Sequence, residues 1–122
     1  MKITRLYATE DGESHFTDDQ MEFSLTDYTP DAPPLGLSET SPATEIRFMK
    51  APAGWTSDWH AASARNLFVV LSGEWEVSAS DEETRRFDLG SVLIVEDTSG
   101  KGHTSRVVSE VDSVAVLVQL NP

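Results

Sequence analysis

From residue 44 onward the chain is a series of short apolar or alternating segments, each ended by turn-forming residues. These segments predict β-strands, which cover residues 44–50, 66–71, 74–79, 84–87, 91–96, 103–109 and 113–120. No segment repeats its apolar residues with the period of an amphipathic helix. The series therefore predicts an all-β domain with little helix.

The apolar patterns of individual strands indicate how the sheets pack. Residues 67–71 and 92–95 are apolar at every position, which predicts strands covered on both faces. Residues 74–77 alternate polar and apolar side chains, as in a strand with one face in solvent. We therefore expect two facing sheets in a double-sheet jelly roll, with space for a ligand between them.

The N-terminal part of the chain has a different pattern. Residues 2–8 and 21–25 are predicted as short strands, separated by an acidic turn that carries an exposed His15. Residues 26–43 contain four of the six prolines, and each proline removes a backbone donor and restricts its neighbour. We expect an irregular arm over these residues.

A length of 122 residues suits one domain, with the N-terminal strands and arm in residues 1–43 and the barrel in residues 44–120. Cysteine is absent, so a metal would need histidine, carboxylate or amide ligands. The N-terminus has no apolar signal region, and no apolar run approaches the length of a membrane span. A cytoplasmic protein without a membrane partner is the expectation.

The chain is strongly acidic, with 9 basic and 21 acidic residues and a net charge of −12. Such a surface repels a phosphate backbone, so the composition predicts no nucleic-acid partner. Two explanations of the charge stay open. One is an ordinary solvated surface, and the other is adaptation to high salt, where screening reduces self-repulsion.

Two short segments combine glycine with histidine. The first is Gly-Trp-Thr-Ser-Asp-Trp-His at residues 54–60, and the second is Gly-Lys-Gly-His at residues 100–103. A neutral imidazole is the commonest side-chain ligand for divalent transition metals, and it also acts as a general acid or base near neutral pH. His60 and His103 are therefore the candidate catalytic and metal-binding residues.

The order of these segments resembles the first motif of cupins, which runs Gly, five residues, His, one residue, His, three or four residues, Glu, six residues, Gly. Gly54 and His60 fit this spacing, as does the segment from Asn66 to the following glycine. Without a gap, Ala62 and Asn66 stand at the second histidine and the glutamate. With one residue inserted in the turn, Asp58 and His60 instead occupy the two histidine positions, and they lie on one face of a strand. Both registers remain open.

The second cupin motif is also recognisable, because Gly90 opens it, residues 91–95 form its strand and Glu96 replaces its proline. His103 lies two residues beyond the histidine position of this motif, and it resembles the last ligand of a cupin metal site. Over roughly residues 44–120 the chain is thus similar to small bacterial cupins. The resemblance implies a jelly-roll barrel and a divalent metal such as Zn, Fe, Mn or Ni.

The candidate metal ligands are His60, His103, Asn66 and Asp58. Asn66 offers a neutral carbonyl oxygen, and Asp58 adds a charged ligand only in the gapped register. Two alternatives stand beside the metal. Either the histidines hydrogen-bond to neighbouring groups, or one of them acts as acid or base on a ligand. Glu96 and Asp97 are either partners that fix a histidine tautomer or solvated turn residues.

The candidate substrate-binding residues lie close to the histidines in sequence and are Trp55, Trp59, Arg65 and Lys101. The two indole rings either wall an apolar pocket or pack in the core, and Trp75 belongs with the packing set. The two basic side chains either hold a carboxylate-bearing ligand or form salt bridges to Glu96 or Asp97.

These features favour a small cupin that binds a small organic molecule in its barrel cavity. Metal-dependent isomerase, lyase or dioxygenase chemistry is what the resemblance implies if the protein is an enzyme. A metal-free binding or sensing module is the alternative, because part of the metal-ligand pattern is replaced. A third reading is a structural subunit whose jelly roll serves association only.

We expect the protein to form a homodimer, because cupins usually pair through sheet edges and the N-terminal arm, and exposed edge strands otherwise invite uncontrolled pairing. Sedimentation across the micromolar range at moderate salt checks this expectation. A monomer throughout that range would contradict it.

Overall fold

The computed structural model describes residues 1–122, which form strands and no helix. In chain order the strands are β1 (Lys2–Ala8), β2 (Ser14–Gln20), β3 (Ser24–Thr26), β4 (Leu35–Leu37), β5 (Ala43–Ala51), β6 (Asn66–Ser72), β7 (Trp75–Ala79), β8 (Thr84–Phe87), β9 (Val92–Glu96), β10 (His103–Val107) and β11 (Ser113–Leu120). From β5 onward, every predicted strand is confirmed to within one or two residues at its ends. No helix of a length and apolarity suited to crossing a bilayer is present.

Two facing sheets make up the body of the structure. The larger has six strands in the order β2-β1-β9-β6-β11-β5, and the smaller has three in the order β10-β7-β8. Neighbouring strands run antiparallel, except that β1 and β9 are parallel. The predicted all-β jelly roll is therefore confirmed.

The core lies between the two sheets, because the side chains that both sheets turn inward are apolar. It consists of Leu6, Phe16, Ala51, Phe68, Val70, Trp75, Val77, Ala79, Phe87, Leu93, Val107 and Ala115. Trp75 is 3% exposed and meets Phe68 edge-on, with 5.6 Å between the ring centroids. Its Nε1–H donates to Ser113 Oγ at 2.6 Å, so the buried indole leaves no donor unpaired. Trp75 is confirmed as a packing residue.

The N-terminal region differs from the sequence-based expectation in two places. Residues Ser14–Gln20 form β2, so His15 lies in a strand rather than in a turn. The predicted strand 21–25 is wrong, since only the short β3 begins there. β2 lies at the edge of the larger sheet and buries only Ser14 and Phe16, so its sequence carries little apolar signal.

The arm over residues 26–43 is irregular, as predicted, except for β4. This strand pairs with β3 in a two-stranded hairpin that is separate from the two large sheets. The hairpin forms because the prolines lie between β3 and β4 or beyond β4, which leaves the backbone donors of Leu35–Leu37 available for pairing.

The outer face of the larger sheet carries a second, smaller set of apolar side chains. Ile3 and Ile94 are buried in it. On the edge strand β5, Ile46 and Phe48 are 66% and 69% exposed. This edge has unpaired backbone groups beside exposed apolar side chains, which is the kind of surface that the homodimer prediction requires.

A loop before β6 is attached to β10 by isolated antiparallel bridges. Thr56 pairs with Arg106, and His60 pairs with His103 through two backbone N–H to O=C bonds of 3.0 Å each. Gly102 lies against this second bridge with a φ of 72°, so close to the His60 carbonyl that a β-carbon would overlap it. Glycine is therefore required here both by its φ and by the approach of the two backbones.

Replacing Gly102 by alanine is expected to force the two histidine segments apart. Gly54→Ala is the matched control, because Gly54 has a similar φ of 82° but open space where the β-carbon would lie. Both variants carry a left-handed backbone cost of about 1 kcal/mol. Gly102→Ala should lose at least ~2 kcal/mol more in urea unfolding, because the backbone must shift. Equal losses would show that the two backbones are not held together at this point.

An ion network centred on Glu76 of β7 crosses the smaller sheet. Arg106 of β10 lies 2.7 Å from the Glu76 carboxylate, and Arg86 of β8 lies 3.2 Å from it. Hydrogen bonding by Arg106, followed by the attraction of both guanidinium groups, holds the pKa of Glu76 below its ordinary value. One carboxylate thereby joins all three strands.

Because the pKa of Glu76 is lowered by folding, its stabilising contribution is present above the ordinary glutamate pKa of about 4.3 and is lost as the pH falls through the lowered value. Glu76→Gln should reduce the free energy of unfolding by about 1 kcal/mol or less at neutral pH, and by less still in acid. Urea unfolding at both pH values measures this. Glu110→Gln removes the same charge from a side chain without an ion pair, and a Glu76→Gln loss that persists in acid would contradict the ion-pair origin.

Candidate functional site

A cavity of about 300 Å³ lies between the two sheets and is bordered by both histidine segments. Its walls are apolar side chains from both sheets, namely Leu6, Met49, Phe68, Trp75, Val77, Leu93, Val95 and Leu117. Its polar side chains come from residues 60–66 and from β10, namely His60, Ser63, Asn66, His103 and Ser105. The volume is at the lower end of the range for small-molecule sites.

His103 begins β10 and is held by a buried carboxylate. Its Nδ1 lies 2.6 Å from Oδ2 of Asp97, a residue with no exposed surface. An ionised carboxylate only accepts hydrogen bonds, so Nδ1 carries the proton and the neutral ring keeps its lone pair on Nε2. Asp97 is thus a partner that fixes a histidine tautomer, and the alternative of a solvated turn residue is wrong.

The second carboxylate oxygen of Asp97 has no hydrogen-bond partner in the protein. The bond to His103 is therefore the main interaction that compensates the burial of this side chain. Removing the imidazole would leave the buried carboxylate without a hydrogen bond, which is costly. For this reason the position of the His103 ring is strongly determined.

His60 reaches the same cavity from the loop before β6. Its Nδ1 lies 2.9 Å from the backbone oxygen of Asp58, which can only accept, so the lone pair of the neutral ring is again on Nε2. The centroids of the His60 and His103 rings are 4.7 Å apart. Two imidazoles whose Nε2 atoms have no hydrogen-bond partner in the chain therefore border one cavity.

The four candidate metal ligands do not come together as a set. His60, His103 and Asn66 line the cavity, whereas the Asp58 side chain does not. The Asn66 amide donates to the Ala64 carbonyl, which leaves its oxygen as a neutral ligand. No group of three or more His, Asp or Glu side chains lies close enough to hold a metal. Two imidazoles and one amide do not fit a tightly bound metal, which typically has three imidazole, thiolate or carboxylate ligands.

Of the two tryptophans predicted to bind a ligand, only Trp55 lines the cavity. Its ring meets Trp75 edge-on, with 5.7 Å between the centroids, and 40% of the residue is exposed. Trp59 is 53% exposed and is absent from the cavity lining. Both indoles lie in the same loop, but only Trp55 contacts the buried ring of Trp75.

Arg65 forms a salt bridge rather than lining the cavity. Its Nε lies 3.2 Å from Glu96, and its terminal nitrogen donates to the backbone oxygen of Asn121 at 2.8 Å. Glu96 also pairs with Arg5 at 3.2 Å. The salt-bridge alternative for Arg65 is therefore confirmed, and Glu96 does not serve as a histidine partner.

Lys101 also lies outside the cavity lining. Its ammonium group pairs with Glu13, so the expected salt bridge to Glu96 or Asp97 is wrong. Hydrogen bonding between the two side chains lowers the pKa of Glu13 and raises the pKa of Lys101. The reason is tertiary, since the Lys101 backbone N–H bonds to the carbonyl of Gly12 in the turn after β1.

A smaller polar pocket adjoins the cavity and was not anticipated from the sequence. It has a volume of about 160 Å³ and is lined by Glu45, Arg47, Ser63, Asn66, Leu117 and Gln119. Three of these residues, Ser63, Asn66 and Leu117, also line the main cavity. The available signal was the alternation in β5, which puts Glu45 and Arg47 on the same face as Met49, a cavity residue.

No family model and no curated protein matches the chain. Its structure is similar to the cupin domain of Cnp3 from Schizosaccharomyces pombe, with a TM-score of 0.56 and 15% identity over 99% of this chain and 88% of that one. A cupin domain from Bordetella pertussis Tohama I has a TM-score of 0.50 and 16% identity, over 70% of this chain and 100% of that one.

A third similar structure is SPY1581 from Streptococcus pyogenes, a protein of unknown function. The TM-score is 0.50 at 19% identity, and the chain spans 63% of the length of SPY1581. Identities this low carry information about the fold alone. Together with the two facing sheets and the cavity between them, they show that the chain has the fold of a small cupin.

Proposed function

We propose that this protein binds a small organic molecule in the barrel cavity, with the apolar part of the ligand against the sheets and a hydrogen-bond donor directed at His60 and His103. The observation that carries the proposal is the contrast within one cavity. Most of its lining is apolar, and its two imidazoles have unpaired Nε2 atoms. Apolar walls with a few convergent polar groups are typical of ligand sites.

A hydroxyl group is the simplest ligand group that matches the histidine pair. Each neutral ring accepts a hydrogen bond at Nε2, because its Nδ1 donates to Asp58 or Asp97. If His103 takes up the hydroxyl proton, the neighbouring Asp97 carboxylate stabilises the imidazolium that forms. The pair thus supports binding by itself and provides a means of general acid–base chemistry.

A metal-dependent enzyme of the isomerase, lyase or dioxygenase type is the second candidate. The contact between His103 and Asp97 favours it, since histidines that bind metals commonly donate their other ring nitrogen to a carboxylate. Against it stands the donor set of two imidazoles and one amide. The geometry therefore supports the metal-free binding site better.

We expect the protein to bind octanol, a probe with an apolar chain and one hydroxyl group, when titrated calorimetrically. His60→Ala should weaken binding about fivefold, because a hydrogen bond to the ligand contributes about 1 kcal/mol. His15→Ala is the matched control, since His15 lies outside the cavity and pairs with Asp81. Absence of octanol binding to the wild-type protein, or equal effects of the two variants, would contradict the proposal.

Elemental mass spectrometry distinguishes the two candidates, using protein purified without a His tag or chelator. The metal-free site predicts no stoichiometric Zn, Fe, Mn or Ni in the folded protein. Near-stoichiometric metal that disappears in both His60→Ala and His103→Ala would instead establish the metal-dependent alternative. Thermal unfolding of both variants verifies that the loss does not come from misfolding.

A further inference from the structure

Arg47 is the only arginine of the chain without a carboxylate partner. The other five, at positions 5, 65, 85, 86 and 106, each form an ion pair. Arg47 is exposed and makes no side-chain hydrogen bond, although the chain has a net charge of −12. An unpaired guanidinium in so acidic a protein is a free anion-binding group.

The sheet register connects Arg47 to the cavity. Arg47 of β5 pairs with Leu117 of β11, and Leu117 pairs with Phe68 of β6. Directly paired residues share a face of a sheet, and both Leu117 and Phe68 line the main cavity. The guanidinium-bearing residue therefore stands at the end of a row of cavity side chains, in the adjoining polar pocket.

We infer that the ligand of this cavity carries a carboxylate or a similar small anionic group, which Arg47 binds in the polar pocket while the apolar body occupies the main cavity. The inference rests on the proposed function and specifies its ligand class. Arg47 suits this role because its planar guanidinium presents two parallel donors to a carboxylate. Asn66 and Ser63, which line both spaces, offer further polar contacts.

The order of residues along β5 sets the orientation of such a ligand. Glu45, Arg47 and Met49 lie on one face of β5, and each is about 7 Å along the strand from the next. Met49 lines the cavity. A ligand whose apolar body contacts Met49 meets Arg47 before it meets Glu45. Glu45 lines the same polar pocket and opposes an anion there, so it limits affinity rather than providing it.

The test compares octanoate with octanol, which share an apolar chain and differ in charge, by calorimetric titration at neutral pH. Arg47→Gln should weaken octanoate about tenfold and leave octanol unchanged. Glu45→Gln should strengthen octanoate and leave octanol unchanged. Lys50→Gln is the matched control, because Lys50 is a cation of the same strand that pairs with Asp112 and does not line either space. It should leave both affinities unchanged.

The outcomes separate this inference from the proposed function. Octanol binding with no specific effect of Arg47→Gln on octanoate overturns the inference and leaves the proposed function standing. An equal loss of octanoate affinity in Arg47→Gln and Lys50→Gln also overturns it, since overall charge would then explain the effect. Binding of neither compound to the wild-type protein overturns both.

Discussion

The pairing of the His60 backbone with the His103 backbone is the contact on which the site depends. Two hydrogen bonds of 3.0 Å join a loop to the first residue of β10, and Gly102 allows the two chains to approach. This contact closes one side of the space between the sheets. It also brings together two imidazoles that are 43 positions apart in the chain. Their separation of 4.7 Å follows from the backbone bridge.

Polarity is distributed unevenly around the cavity, and this governs what it can hold. The sheets supply apolar walls, so a ligand gains by removing apolar surface from water. The imidazoles are each oriented through Nδ1, one by a buried carboxylate and one by a backbone carbonyl. Their Nε2 atoms have no hydrogen-bond partner in the chain. In the two registers of the cupin motif, the positions of the further metal ligands hold Ala62 and Asn66, or Asp58, whose side chain lies outside the cavity lining.

Most basic side chains of the protein are paired with carboxylates, whereas the excess of acidic side chains gives the net charge of −12. Ion pairs such as those of Glu76 with Arg106 and of Glu96 with Arg65 connect neighbouring strands. Most cations are therefore engaged in holding the sheets. Arg47 is the exception among the arginines, and it lines the polar pocket beside the cavity.

The sequence by itself determined the strands from β5 onward, the jelly-roll class and the two histidines, because alternation, apolar runs and glycine turns are local signals. Only the tertiary structure decided which charged groups meet. Lys101 bonds to Glu13 because a distant turn packs beside it, and Asp97 is buried against His103. Arg47 lies beside the cavity because of the cross-strand register. Such contacts depend on sheet order and pairing between distant segments, which local patterns do not encode.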